Sequence, residues 1–216
     1  MKHTRACSLV LLGDSYTTFA GYIPQGNWVY YPREDVADVT DVEQTWWRRL
    51  IRMRGLRLLA NESSSGTTIS TRVREEHTVA DAFVSRMRRV LGPEGVGGER
   101  AELILIFGGT NDSWIDNEAG ALQFSDWGEA DLRQVLPATC CLLDFVTRHN
   151  PDATILLIVN TDLREEIAQG LAAACAHYGV PALQLRDISK HNGHPDARGM
   201  EQIAQQVDQA LDNLEG

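Results

Sequence analysis

The chain has 216 residues, with 20 basic and 30 acidic side chains, giving a formal net charge of −10 at neutral pH. A hydrophobic content of 43% and a charged content of 23% suit one globular domain over residues 1–216 and exclude disordered, collagen-like and coiled-coil chains. The acidic balance argues against nucleic acid or an anionic membrane surface as a partner.

From the N-terminus, the apolar run Ser8–Leu12 is too short for a secretory leader and passes straight into Gly13-Asp14-Ser15, the signature of a strand ending in a turn. No stretch approaches ~18 continuous apolar residues, so a soluble, cytoplasmic protein is expected. Leu9–Leu12, Leu56–Ala60, Leu103–Phe107, Ile155–Val159 and Ala182–Leu185 are consecutive apolar runs, as in parallel strands covered on both faces. Helical patterns lie between them. Thr40 and Glu43 suggest a capping box before Trp46, Leu50 and Met53. The arginines Arg48, Arg49, Arg52, Arg54 and Arg57 read as the solvated face of that helix. Leu132–His149 has helical spacing that Pro137 should break or restart. Ile167, Leu171, Ala174 and Tyr178 form the next stripe, which Gly179 and Pro181 end. Pro195 suits the first turn of a last helix with Ile203, Val207, Leu211 and Leu214 inward. The alternation predicts an α/β protein with an open parallel sheet between two helical layers.

Ligands of such sheets bind beyond the carboxyl ends of the strands. Four segments there carry chemistry: Gly13-Asp14-Ser15, Asn61 to Thr68, Gly109-Thr110-Asn111-Asp112 and His191 to Pro195. Ser15 could serve as a nucleophile with His194 as its base, while Gly66 N–H and the Asn111 amide could stabilise an oxyanion. Singly, each has a plainer explanation as a cap, a turn residue or a surface histidine. Four such residues in order, each after its own strand, are harder to explain that way. Cys7, Cys140, Cys141 and Cys175 form no C-x-x-C pair, and His191 with His194 lacks a nearby third ligand. No metal or cofactor is expected.

These four blocks resemble those of the SGNH, or GDSL-type, hydrolases over nearly the whole chain. The resemblance implies a three-layer α/β/α sandwich with a five-stranded parallel flavodoxin-like sheet. It also implies ester hydrolysis through an acyl-enzyme on Ser15, with Ser15, Gly66 and Asn111 as the oxyanion hole and His194 as the base. One departure stands out, because the family's D-x-x-H would need an acid where His191 stands. Asp187, seven residues before His194, could orient the imidazole, or a backbone carbonyl in 190–192 could do so; Asp196 suits a helix cap better.

The long connection at 18–40 carries Phe19, Tyr22, Trp28, Tyr30 and Tyr31 but no continuous aliphatic run, and Trp114 follows the third block. Tyr22, Trp28, Tyr30 and Trp114 are candidate substrate contacts, although these rings could equally pack the loop onto the body. The expectation is a serine esterase releasing a short acyl group, such as acetyl, from a saccharide or similar polar ester. A lysophospholipase or thioesterase on the same machinery, or a non-catalytic carbohydrate-binding relative, is the alternative.

Overall fold

The computed structural model describes residues 7–33 and 38–215, so part of the predicted 18–40 loop lies outside it. In chain order the elements are β1 (Ser8–Gly13), α1 (Trp46–Arg54), β2 (Arg57–Ser63), α2 (Phe83–Val90), β3 (Leu103–Phe107), α3 (Thr110–Trp114), α4 (Val135–His149), β4 (Thr154–Val159), α5 (Glu165–Tyr178), β5 (Ala182–Gln184), β6 (Lys190–His191), β7 (His194–Pro195) and α6 (Ala197–Glu215). Five strands form one sheet in the order β2-β1-β3-β4-β5, every pair parallel.

Successive strand residues face opposite layers. Val10, Leu12, Ile104, Ile106, Ile155, Leu157 and Val159 pack with α2, α4 and α5. Leu9, Leu11, Leu103, Leu105, Phe107, Leu156 and Ile158 pack with Trp46, Trp47 and Leu50 of α1 and Met200, Ile203, Val207 and Leu211 of α6. Each central strand therefore needs apolar side chains at consecutive positions, which is why the runs stood out.

Several boundaries differ from expectation. Strand β2 continues through Asn61, Glu62 and Ser63, because these polar residues are buried but paired: Glu62 lies beside Arg86 and Arg89. The capping box ahead of α1 joins Asp41 to Gln44 around a 3-10 turn, and Thr45 caps the helix itself by accepting from Arg48 N–H. Met53 and Leu214 are exposed, since they lie near the carboxyl ends of α1 and α6 and outside the buried stripe. Pro137 sits in the first turn of α4, where its missing N–H costs nothing; the break falls at Gln134. Pro195 belongs to β7, and α6 starts behind Asp196, whose carboxylate accepts the Gly199 N–H at 2.7 Å.

The arginine cluster is not one solvated face. Arg48 and Arg52 pair with Glu43, and Arg57 lies in β2 and pairs with Glu99. Arg54 clamps α1 to α6, with its Nε 2.6 Å from Asp208 and Nη1 2.9 Å from Glu215. No helix among the described residues is long and apolar enough to cross a membrane.

Candidate active site

At the carboxyl edge, Gly13 pairs with Ser63 of β2 on one side and Phe107 of β3 on the other. The loops carrying Ser15, Gly66 and Asn111 thus leave three adjacent strands. A Cβ on Gly13 would lie 2.7 Å from Thr17 and 2.8 Å from Ser63 Oγ, so only glycine permits this tight exit. Asp14 then caps a 3-10 turn over Ser15–Thr17, its carboxylate accepting the Tyr16 N–H at 3.1 Å. The capping residue is Asp14, which leaves the Ser15 hydroxyl available. Burial pushes the Asp14 carboxyl up to about 7, opposed by the Tyr16 N–H and the Arg86 cation.

The Ser15 hydroxyl lies 2.9 Å from His194 Nε2. His194 reaches it through a feature that hydropathy does not mark, the β6–β7 hairpin. Its two turn residues, Asn192 and Gly193, both have positive φ (48° and 78°), as type I′ hairpin turns require. Two buried tyrosine hydroxyls pin the hairpin on either side of the histidine. Tyr16 donates to the Gly193 carbonyl and Tyr31 to the Pro195 carbonyl. Tyr30 stacks on the imidazole with centroids 3.6 Å apart and planes 10° apart, while the Tyr16 and Trp114 rings stand 5.3 and 5.6 Å away.

The far nitrogen of His194, Nδ1, lies 3.3 Å from the Asn192 carbonyl. Asp187 is not brought to it. That residue is exposed, at φ 54°, beyond the end of β5. The physical reason is sheet order: β5 is three strands from β1, about 14 Å at ordinary inter-strand spacing, whereas the hairpin carries the histidine back. Asp196 is likewise occupied, accepting from Gly199 N–H and, at 2.6 Å, from the Ser189 hydroxyl. Among the described residues no carboxylate contacts His194. Burial, with the Arg33 and Lys190 cations adding to it, lowers the imidazole to about 4, and the Asn192 carbonyl opposes this only partly.

Gly66 follows β2 at φ 79°, and a Cβ there would fall 2.5 Å from His77 Nε2. The Asn111 amide donates to the Thr67 carbonyl at 3.0 Å, holding the third block against the second. Asp112 reinforces this by accepting from the Ile69 and Ser70 N–H groups at 2.7 and 3.2 Å. Beneath them, fully buried Arg86 donates to the carbonyls of Gly13 and Glu62 and to Thr67 Oγ1, tying the ends of β1 and β2 to the loop.

Of the candidate substrate contacts, Tyr30 and Trp114 border the imidazole and Trp28 meets His77 edge-on at 5.4 Å. Tyr22 turns instead onto Trp47, at 5.7 Å. Arg74, His77 and the clamping pair Tyr16 and Tyr31 were not singled out from sequence; only the Asn192-Gly193 dipeptide offered a readable signal. Among the described residues no three His, Cys, Asp or Glu side chains gather as a metal site.

A parallel α/β/α sheet with a serine hydrogen-bonded to a histidine at its carboxyl edge defines a serine hydrolase. The GDSL-like lipase/acylhydrolase family profile matches residues 7–211, and the chain belongs to that family of serine ester hydrolases. It is similar to a Bacteroides ovatus protein assigned to the GDSL-like lipases, with 36% identity and a TM-score of 0.89 over 97% of this chain and 99% of that one. A Bacteroides uniformis counterpart gives the same identity and TM-score over 97% of both chains. A family two carbohydrate esterase from Clostridium thermocellum shares the fold at 16% identity and TM-score 0.61, over 96% of this chain and 63% of that one. No curated protein sequence matches the chain.

Proposed function

We propose that the protein removes short acyl groups, acetyl foremost, from a carbohydrate or similarly polar ester through an acyl-enzyme on Ser15. The observation that carries this reading is the 2.9 Å contact between Ser15 Oγ and His194 Nε2. His194 takes the Ser15 proton as the hydroxyl attacks the ester carbonyl, then returns it to the leaving alcohol. The Asn192 carbonyl, in place of an acid, keeps the proton on Nδ1 so that Nε2 can accept. Ser15 N–H, Gly66 N–H and the Asn111 amide receive the developing oxyanion. A water activated by His194 then releases the acid.

Narrow access favours a short acyl group, since Ser15 is 2% and His194 8% exposed. Trp28 and Trp114, about half exposed at the rim, suit stacking against a sugar ring. The test sets a p-nitrophenyl ester series from acetate to octanoate beside acetate release from acetylated glycans, in wild type and Ser15→Ala. Acetate should be preferred, and Ser15→Ala should lose several orders of magnitude in kcat with Tm nearly unchanged. Preference for octanoate would favour a lysophospholipase or thioesterase. Phosphonate labelling of another serine would end the assignment.

A further inference from the structure

One turn outside the four blocks meets both of the oxyanion donors that lie beyond the serine loop. In the segment Arg74–His77, the His77 N–H donates to the Arg74 carbonyl at 3.0 Å, closing the turn. The His77 ring lies against Gly66 at the point where a Cβ would sit. Arg74 Nη2 donates to Asn111 Oδ1 at 3.3 Å, while Asn111 Nδ2 donates to the Thr67 carbonyl at 3.0 Å. The amide is thus held at both ends, and one Nδ2 proton remains for a substrate. Among the described residues Arg74 forms no ion pair, and its buried Nε has no hydrogen-bond partner. Glu75 and Glu76 follow it in sequence, yet among the described residues neither forms an ion pair with it.

We propose that Arg74 is a positioning residue of the oxyanion hole, fixing the Asn111 side chain and polarising it as a donor. The inference rests on the reading that Asn111 donates to the oxyanion. A cation on the oxygen of an amide withdraws electron density from its nitrogen, so the remaining N–H becomes a stronger donor as negative charge develops opposite it. The same contact prevents the amide from flipping its oxygen toward that charge, which would repel it. Both effects act on the transition state more than on the bound ester, so they fall on kcat.

The test is a double-mutant cycle with p-nitrophenyl acetate on wild type, Arg74→Met, Asn111→Ala and the double variant, with Arg74→Gln as a donor without charge. Arg74→Met should lower kcat roughly 10- to 100-fold with KM changed less than about twofold. In the Asn111→Ala background the same substitution should cost less than about threefold, because there is no amide left to act through. Arg74→Gln should fall between wild type and Arg74→Met. If Arg74→Met does not fold, Arg74→Gln runs the same cycle. Fully additive losses, an effect confined to KM, or unchanged kcat in a folded Arg74→Met enzyme would overturn the inference. A silent Asn111→Ala would overturn the oxyanion reading as well, whereas a silent Arg74→Met beside a damaging Asn111→Ala would sink this inference alone.

Discussion

The pH dependence of the reaction probes the replacement of the missing acid most directly. In the proposed mechanism the active form of the base is neutral His194, and kcat/KM should fall on the acid side as the free enzyme's imidazole takes up a proton. Burial and the Arg33 and Lys190 cations disfavour that proton, placing the imidazole near 4, while among the described residues Nδ1 has the Asn192 carbonyl as its one hydrogen-bond acceptor. At pH 5 roughly 90% of the free enzyme would then hold the neutral base, against roughly 3% for an ordinary histidine near 6.5. The acid limb of kcat/KM for p-nitrophenyl acetate should therefore fall near pH 4. Lys190→Met, which removes one repelling cation, should move the limb upward. Asp187→Asn should leave both limb and rate within about twofold, since the exposed carboxylate does not touch the ring. In triads built on a carboxylate the same change costs about 10⁴ in kcat. A limb at pH 6–7 together with a hundredfold loss in Asp187→Asn would refute the reasoning and return the acid to the site.

Three further outcomes follow from the geometry. Asn111→Ala should cost roughly 10²–10³ in kcat with little change in KM; a normal kcat would reduce Asn111 to a loop brace. Asp14→Asn keeps an oxygen for the Tyr16 N–H but removes a carboxyl raised to about 7. The wild type is penalised as pH rises from the unfolded value of about 4 toward 7, so the Tm advantage of Asp14→Asn should widen over that range and level off above it. A constant Tm difference between pH 4 and 8 would contradict this. Gly66→Ala combines a positive φ with a 2.5 Å clash against His77 and should cost roughly 1–3 kcal/mol by denaturant unfolding, as well as activity. Gly97→Ala, also at positive φ but with open space around it, is the control and should cost less.

Much of the fold was readable along the chain because β1, β3 and β4 are covered on both faces and demand apolar residues at consecutive positions. The half-buried edge strand β2 extends past its apolar run, because Asn61 and Glu62 are buried against partners remote in sequence, the Thr17 carbonyl and the Arg86 and Arg89 cations, while Ser63 donates to Asn61. Ser15, Gly66 and Asn111 stood out in the sequence because each follows a strand in a short motif, and His194 because it sits in a compact polar cluster ahead of the last helix. Their sequence alone determined which groups could react. Only the tertiary structure decided how the histidine is aimed. Tyr30 stacks on it across 164 residues of chain, while Tyr16 and Tyr31 grip its hairpin from opposite sides. The choice between Asp187 and the Asn192 carbonyl depended on which strand each follows, and strand order comes from packing the whole sheet, leaving no mark in the six residues between Asp187 and His194.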